Sequence, residues 1–226
     1  MADMQWSDFS RPDTRRKGNG ISLQSPDDVL ERMWGYGAFR PLQREAITAV
    51  LDGRDALVVL PTGGGKSLCY QLPAACGIGL TLVISPLIAL MDDQVAAACE
   101  TGLKAGALHS QTPEKTKSKV FASIYNGSLE LLYISPERLV AGGLIEILKP
   151  HLGLVAVDEA HCVSHWGHEF RPEYRQLVPL LESVPGVPRL ALTATATPAV
   201  QADIISQLGL RQPISLIGHP DRPNLI

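Results

Sequence analysis

The chain has 226 residues, of which 45% are hydrophobic and 19% are charged, as is typical of a soluble globular domain. A net charge of −3 excludes a global basic field, so any binding of nucleic acid requires a local surface. The four cysteines are scattered without a Cys-x-x-Cys pair, which argues against a disulfide framework or a structural zinc site.

The N-terminal part of the chain predicts a tail followed by two short helices. Residues 1–24 are polar, dotted with basic side chains and without periodicity, which predicts a disordered tail. The sequence Ser-Pro-Asp-Asp at 25–28 has the pattern of a helix N-cap with a capping box. This helix is expected to end near Trp34, and a second helix to run from about residue 42 to 51.

The rest of the chain is organised around residues 57–67, Leu-Val-Val-Leu-Pro-Thr-Gly-Gly-Gly-Lys-Ser. The apolar run predicts a buried parallel strand, and the glycines allow a sharp turn whose N–H groups approach an anion. Lys66 supplies a cation for the outer phosphates of a nucleotide, and the Ser67 hydroxyl is placed to bind Mg²⁺. The predicted phosphate-binding residues are Thr62, Gly63, Gly64, Gly65, Lys66 and Ser67.

The phosphate-loop pattern departs from the strict form, because Leu60 stands where a glycine is expected. The variant Pro61-Thr62-Gly63 resembles the first motif of superfamily 2 helicases. The alternative is a glycine-rich turn with an incidental lysine, which the order of strand, glycines, Lys-Ser and helix disfavours.

Apolar runs and helical patterns alternate downstream of this loop, which predicts an α/β fold of the RecA-like P-loop type, with a mostly parallel sheet and helices on both faces. Ligands of such sheets bind beyond the carboxyl ends of the strands. The predicted strands are 80–85, 129–135, 152–157 and 189–193, and the predicted helices 68–72, 89–99, 113–125, 138–148 and 198–208.

Prolines and glycines break the uncharged stretch 67–91, so a membrane span is not expected. Thr112 and Thr197 are predicted N-caps, and Gly209 a helix stop.

Two acids follow the predicted strand 152–157. At the carboxyl end of a strand, Asp158 can hold Mg²⁺ and Glu159 can orient, or take a proton from, an attacking water. The alternative is that the two acids cap the next helix. The sequence Asp-Glu-Ala-His at 158–161 resembles the box of the DEAH helicases, which implies ATP hydrolysis coupled to movement on nucleic acid and adds His161 to the catalytic set.

Residues 192–196 resemble the third motif of that family, which implies that Thr193 and Thr195 hydrogen-bond near the acids and link them to the DNA path.

Two further stretches resemble RecQ-family helicases. Tyr36, Arg40 and Gln43 match the motif that in this family reads adenine, since an aromatic ring can stack on a base and an amide can pair with its edge. The alternative is a packed aromatic ring and an exposed glutamine. The loop 161–174 resembles the aromatic-rich loop of the family, which implies that Trp166, Phe170 and Arg171 sense single-stranded DNA. A zinc site at His161, Cys162, His165 and His168 is disfavoured by its spacing.

The resemblance extends from about residue 28 to the C-terminus and has further implications. Ser85-Pro86 and the stretch 133–139 match motifs that face DNA. The chain is expected to comprise a first motor lobe over 25–217 and the start of a linker over 218–226. Three positions depart from the family pattern: Leu42 stands where glycine is common, Asp92 where lysine is common and His165 where glutamine is common.

The resemblance therefore implies a lobe of a 3′-to-5′ DNA helicase that uses ATP and Mg²⁺, without zinc in this segment. Its expected partners are single-stranded and duplex DNA and a second RecA-like lobe that this chain lacks, with no membrane. The expected compartment is the cytoplasm of a bacterium or the nucleus of a eukaryote. Two alternatives remain open: a superfamily 2 ATPase that remodels RNA or protein, and a nucleotide-binding module without turnover.

Overall fold

The computed structural model describes residues 23–141, 143–164, 166 and 171–218. Its strands are β1 (Ala56–Val59), β2 (Leu80–Ile84), β3 (Ala105–Leu108), β4 (Leu131–Ile134), β5 (Leu152–Val157), β6 (Arg189–Thr193) and β7 (Ile214–Ile217). Its α-helices are α1 (Pro26–Trp34), α2 (Gln43–Leu51), α3 (Leu68–Ala75), α4 (Ile88–Glu100), α5 (Glu114–Tyr125), α6 (Pro136–Val140), α7 (Leu144–Leu148), α8 (Leu177–Glu182) and α9 (Pro198–Gln207). Short 3₁₀ helices cover Ala160–Val163 and Pro172–Gln176.

The strands form one parallel sheet with the order β3-β4-β2-β5-β6-β1-β7. Two clusters of buried apolar side chains cover its two faces, one around Leu57, Leu82 and Val155 and the other around Val58, Val83 and Leu154. Alternate residues of the same strands thus serve opposite faces, as the period of two requires. The predicted α/β fold with helices on both faces is confirmed.

Two strands were not predicted from the sequence. Strand β3 is the small-residue segment Ala-Gly-Ala-Leu, and a Cβ on Gly106 would lie 2.9 Å from Val120 Cγ2 of α5. The close approach of α5 excludes the large β-branched residues that usually mark a strand. Strand β7 is a half-exposed edge strand of four residues, so its sequence carries little periodic signal.

The helix expected over 138–148 is instead two helices, α6 and α7. Gly143 precedes α7 with a φ of +68°, a left-handed conformation that interrupts helical backbone. Pro73 was expected to break the apolar stretch but lies inside α3, where all residues of the helix are buried. Packing against the core therefore outweighs the intrinsic helix-breaking tendency of this proline.

The predicted helix caps are only partly correct. Val200 N–H donates to Thr197 Oγ1 (3.4 Å), and Gly209 follows α9 with a φ of +57°, as predicted. The Ser25 side chain makes no capping hydrogen bond, so the predicted capping box is wrong. Thr112 does not cap α5 either, because its hydroxyl accepts the N–H of His109 (2.9 Å) and Pro113 is the N-cap.

The ends of the predicted lobe lie at the margins of the described part. Gln24 N–H donates to Cys76 O (3.2 Å), so hydrogen bonding to the lobe begins before Ser25. Residues 1–22 of the expected tail and residues 219–226 of the expected linker lie outside the described residues. Within the described ranges, no helix has the length and apolar character needed to cross a bilayer.

A buried carboxylate joins the amino ends of three neighbouring strands. Asp55, 1% exposed, directly precedes β1 and accepts the backbone N–H groups of Arg189 (2.9 Å) and Arg211 (2.6 Å). The Asp55 carbonyl in turn accepts the N–H of Ile214, the first residue of β7 (3.0 Å). This network anchors the edge of the sheet opposite to the one where the predicted site residues lie.

Candidate active site

The phosphate-loop sequence forms a tight turn between β1 and α3. Gly63 and Gly65 have φ values of +79° and +80°, which other residues rarely adopt, and a Cβ on Gly64 would lie 2.8 Å from Pro61 O. Two constraints therefore require the three glycines: the positive φ of Gly63 and Gly65 and the crowding at Gly64. Lys66 Nζ donates to the Leu60 carbonyl (3.2 Å), so its ammonium group lies over the loop itself.

The acids that follow β5 come close to this loop, because β5 and β1 are separated only by β6 in the sheet. The positive charge of Lys66 partly offsets the rise in the pKa of Asp158 and contributes to the lowering of the pKa of Glu159. Leu60 N–H donates to the Thr193 carbonyl (3.1 Å), and Thr193 Oγ1 lies 2.9 Å from His161 Nδ1, so the end of β6 joins the phosphate loop to the segment of the acids. That the glycine turn and the two acids bind one nucleotide stays a prediction.

Asp158 and Glu159 have opposite electrostatic environments. Burial raises the pKa of Asp158 from 3.8 to about 6, and the neighbouring Glu159 carboxylate adds to the rise. The Glu159 N–H, which donates to Asp158 Oδ1 (3.0 Å), and the charges of Lys66 and His161 compensate only in part. The pKa of Glu159 is instead lowered, chiefly by its hydrogen bond with His161.

His161 connects the acids to the end of β6. Its Nδ1 lies 3.3 Å from Glu159 Oε2 and 2.9 Å from Thr193 Oγ1, and the Thr193 hydroxyl donates to the Thr195 carbonyl (3.2 Å). The contact with the Cys162 sulfur and the Glu159 carboxylate raise the pKa of His161 to about 10. The imidazolium therefore holds Glu159, whose backbone has the left-handed φ of +47°. Thr195 participates through its carbonyl and not through its hydroxyl.

The residues predicted to bind adenine line a cavity of about 450 Å³ beside the phosphate loop. Its other walls come from residues of the loop 34–38 and from Gly65 and Leu68. Tyr36 is exposed, but Gln43 is only 3% exposed, so the alternative of an exposed glutamine is wrong.

Both ends of the Gln43 amide are already bonded in this structure. Its Oε1 accepts the Arg40 N–H (2.8 Å) and its Nε2 donates to the Gly65 carbonyl (3.0 Å). Arg40 Nη1 also donates to the Gly63 carbonyl (2.5 Å). The predicted adenine motif is thus hydrogen-bonded to the phosphate loop, and the Gln43 amide keeps one N–H and one oxygen lone pair beyond these two bonds.

The residues predicted to face DNA lie beside the acids. Arg171 Nη1 donates to the Pro86 carbonyl (3.5 Å), which joins the aromatic-rich loop to the segment after β2, and Ser85 Oγ accepts the N–H of Leu87 (3.4 Å). Trp166 is 76% exposed, whereas Phe170 lies outside the described residues. The Arg171 N–H also donates to the Cys162 carbonyl (3.0 Å), so the loop starts and ends against the helical turn that contains His161.

Two of the three departures from the family pattern have a structural counterpart. Leu42 has a φ of +69°, the left-handed conformation that favours the glycine common at this position. Asp92 Oδ1 lies 3.4 Å from Nε2 of the buried His109, so it has a partner that a lysine would not have. His165 and His168 lie outside the described residues. Among the described residues, no group of three or more His, Cys, Asp or Glu side chains is arranged to hold a metal ion.

Known proteins similar to this chain are helicases. The family model described as DEAD/DEAH box helicase matches residues 40–204. The ATP-dependent DNA helicase RecQ of Haemophilus influenzae is 48% identical over 198 residues, which cover 87% of this chain and 32% of that protein. The ATP-dependent helicase SGS1 of Saccharomyces cerevisiae is 42% identical over 237 residues, which cover 99% of this chain and 16% of that protein. The chain thus spans a third or less of the length of these relatives.

Solved structures share the fold. The DUF1998 helicase MrfA bound to DNA and AMPPNP has a TM-score of 0.68 at 20% identity, covering 88% of this chain and 29% of that one. The helicase Lhr of Mycobacterium smegmatis bound to ssDNA and AMP-PNP has a TM-score of 0.68 at 22% identity, covering 87% of this chain and 28% of that one. Together with the family match, these similarities confirm the resemblance seen in the motifs: the chain belongs to the DEAD/DEAH box helicase family and is related to its RecQ-type members.

Proposed function

We propose that this chain is the first motor lobe of a RecQ-type, ATP-dependent 3′-to-5′ DNA helicase, spanning about residues 25–217. The observation that carries the proposal is a set of contacts at the carboxyl edge of the sheet that joins the phosphate loop to the acids. Lys66 Nζ donates to the Leu60 carbonyl, Leu60 N–H donates to the Thr193 carbonyl, and Thr193 Oγ1 contacts His161 of the acid segment. Parallel sheets bind their ligands at this edge, and phosphoryl transfer needs a cation for the phosphates beside carboxylates for metal and water.

The lobe binds the base of ATP in the cavity beside Tyr36 and Arg40. Its phosphates lie on the N–H groups of 62–65 and against Lys66, at the positive amino end of α3. Gln43, which is hydrogen-bonded to Gly65, would report the presence of the base to the phosphate loop.

Ser67 and Asp158 are the residues that would hold Mg²⁺. The site fits a hard divalent cation, because its donors are oxygens and the charge of the buried Asp158 carboxylate is only partly compensated by the protein. Bound Mg²⁺ would neutralise the negative charge that develops on the phosphoryl group. No zinc site is part of the proposal.

Glu159 orients the attacking water or accepts its proton. The hydrogen bond with His161 fixes the position of the carboxylate and lowers its pKa, which suits orientation of the water. Because His161 also contacts Thr193, which is bonded to the Thr195 carbonyl, a change at the end of β6 can reach Glu159.

Single-stranded DNA binds across Ser85, Pro86 and the aromatic-rich loop of Trp166, Phe170 and Arg171. The exposed indole of Trp166 offers a surface on which an unpaired base can stack. MrfA and Lhr, which share the fold, have been solved bound to DNA and to ssDNA, respectively, which supports this assignment. A protein of this kind acts in the bacterial cytoplasm or the eukaryotic nucleus.

The chain by itself should bind ATP weakly and hydrolyse it slowly, because a second RecA-like lobe supplies the arginine finger, worth on the order of 10³-fold or more in rate. The decisive experiment is therefore ATPase activity of the full-length protein with and without single-stranded DNA. Trp166→Ala should abolish the stimulation while keeping the basal rate, and Tyr125→Ala, which removes an exposed aromatic ring from α5, should change neither.

Other outcomes would favour the two alternatives. Stimulation by RNA but not by DNA would indicate an RNA-remodelling ATPase. An unchanged rate of the full-length protein after Glu159→Gln would indicate a nucleotide-binding module without turnover. Rapid duplex unwinding by the 226-residue chain alone would contradict the assignment of a single, incomplete motor lobe.

A further inference from the structure

Helix α5 carries a cluster of basic side chains to which the proposed function gives no role. Three of the seven lysines of the chain, Lys115, Lys117 and Lys119, stand within five residues of it. The Lys117 side chain is 26% exposed, and its Nζ lies 3.2 Å from a carboxylate oxygen of Glu114. Lys115 and Lys119 are exposed, and neither ammonium group has an ion-pair or hydrogen-bond partner among the described residues.

The packing of α5 puts these two lysines on one outward-facing surface. Val120 and Ile124 are buried in the core cluster that contains Leu57 and Leu82, which fixes the inner side of the helix. Lys115 and Lys119 are four residues apart, so they lie on one face of the helix, about 6 Å apart along its axis. In a chain with a net charge of −3, this pair is a local basic surface of the kind that binding of nucleic acid requires.

The lysine pair lies at the same edge of the sheet as the residues proposed to bind DNA. Backbone hydrogen bonds join the carboxyl ends of β3, β4, β2 and β5 into one row: Ser135 N–H donates to Leu108 O (3.3 Å), Ser85 N–H to Ile134 O (3.1 Å) and Asp158 N–H to Ile84 O (2.8 Å). Helix α5 begins six residues after the last residue of β3, so its first turns lie at one end of this row. The aromatic-rich loop follows β5 at the other end.

Helix α5 and the aromatic-rich loop also share a face of the sheet. Cys162 and Tyr174, which flank that loop, belong to the core cluster against which α5 packs. Helix α4, with the exposed acids Asp92 and Asp93, packs through Met91 into the cluster on the opposite face. A polyanion that follows the edge of the sheet on the α5 face therefore meets the two lysines and avoids these acids.

The row of strand ends sets the distance between the two binding elements. Adjacent strands are about 4.8 Å apart, so the end of β3 lies about 14 Å from the end of β5. A stacked strand advances about 3.4 Å per nucleotide, so this distance corresponds to about four nucleotides. On the basis of the function proposed above, we propose that Lys115 and Lys119 bind the phosphate backbone of the single strand that stacks on Trp166, about four nucleotides farther along it.

The test is binding of a fluorescein-labelled oligothymidylate to the 226-residue chain, followed by anisotropy at several salt concentrations. Replacing both lysines by alanine, Lys115→Ala with Lys119→Ala, removes two phosphate contacts. The slope of log affinity against log salt concentration should fall in magnitude by about 1.4, which corresponds to a loss of affinity of about 25-fold at about 0.1 M salt. The loss should be the same for other base sequences, because phosphate contacts carry no sequence information.

Two further variants separate phosphate contact from net charge. Lys115→Arg with Lys119→Arg keeps both charges and should retain the wild-type slope. Arg54→Ala with Lys104→Ala is the matched control, since it removes two exposed positive charges just before β1 and β3, at the opposite edge of the sheet. It should leave the slope unchanged.

The length of the strand gives a second readout. A strand shorter than about four nucleotides cannot span from Trp166 to α5, so wild-type affinity should rise steeply between about four and eight nucleotides. The double alanine variant should lack this rise, whereas the control variant at Arg54 and Lys104 should show it.

A wild-type slope in the double alanine variant, or an equal change in the control variant, would overturn the inference and leave the proposed function intact. The first result would assign the lysines to solvent or to an acidic protein surface. If the chain alone binds too weakly for a titration, the same variants of the full-length protein decide by the same slope. Absence of single-strand binding by the full-length wild type would instead overturn the proposed function, and this inference with it.

Discussion

Replacing Asp158 by asparagine should stabilise the nucleotide-free chain while removing its response to Mg²⁺. The carboxylate is largely buried and lies beside a second acid, so its charged form is disfavoured in the fold. Asparagine keeps the shape and can still accept the Glu159 N–H through its oxygen (3.0 Å in the wild type), but it carries no charge. Metal-binding carboxylates commonly lower the folding stability of a protein when the metal ion is absent, and the stability is lost in exchange for function.

The magnitude follows from the pKa. A rise from 3.8 to about 6 corresponds to about 3 kcal/mol of destabilisation above pH 6. Between about pH 4 and 6 the unfolded chain releases this proton while the folded chain retains it, so stability falls with rising pH across this window. About 3 kcal/mol is the upper limit for the asparagine variant, whose amide N–H₂ still needs an acceptor.

The assay is thermal unfolding without Mg²⁺ at a series of pH values. For a chain of this size 1 kcal/mol shifts Tm by about 2–4 °C, so the upper limit of about 3 kcal/mol corresponds to about 6–12 °C. Asp158→Asn should therefore raise Tm by up to this amount at pH 7.5 and by much less at pH 4. In the wild type, Mg²⁺-dependent nucleotide binding should weaken below about pH 6, because protons compete for Asp158.

The adjacent acid is the matched control. The pKa of Glu159 is lowered by its hydrogen bond with His161, so Glu159→Gln should lower Tm under the same conditions. Opposite signs at neighbouring carboxylates cannot arise from a general loss of negative charge. A Tm of Asp158→Asn that is lower than that of the wild type, or a gain independent of pH, would refute this reasoning.

Three further predictions concern the described residues. Asp55→Ala removes the acceptor of the buried Arg189 N–H and the part-buried Arg211 N–H, together with the ion pair to the Arg211 side chain, and should cost about 3 kcal/mol in the free energy of unfolding. Asp52→Ala, at an exposed residue, should cost less than about 0.5 kcal/mol, and equal Tm values would contradict the anchoring network. Gln43→Ala should weaken nucleotide binding about tenfold even in EDTA, measured by fluorescence titration, because it releases the phosphate loop. Cys99, the exposed thiol, should react with Ellman's reagent in the native protein, and all four thiols only after denaturation; more than one fast thiol would contradict the packing.

Much of the fold could be predicted because its signals are local. Strands β5 and β6 begin and end at the predicted residues, since each is a short apolar run. Strand β3 could not be predicted in this way. Its Gly106 lies so close to Val120 of α5 that there is no room for the large side chains typical of a strand. The break before α7 depends on the left-handed conformation of Gly143, which the hydrophobic pattern of the sequence does not indicate.

The candidate site shows the same division. The glycines, Lys66 and the two acids were recognisable because phosphate and metal chemistry admits few residue types at these positions. The hydrogen bonds of the Gln43 amide could not be predicted from the sequence, since they depend on how α2 packs against the phosphate loop. The edge-to-face contact between Tyr70 of α3 and Tyr133 of β4 also escapes the sequence, because 63 positions separate the two residues along the chain.

The sequence by itself determined the α/β class, the identity of the phosphate loop and the acids, and the family, because each rests on residue types at short, fixed spacing. Only the tertiary structure decided the strand order that brings β5 within two positions of β1, the burial that gives Asp158 and Glu159 opposite pKa shifts, and the edge-to-face contact between Tyr70 of α3 and Tyr133 of β4. These features depend on the distances and solvation of groups far apart in the chain, which no local pattern encodes.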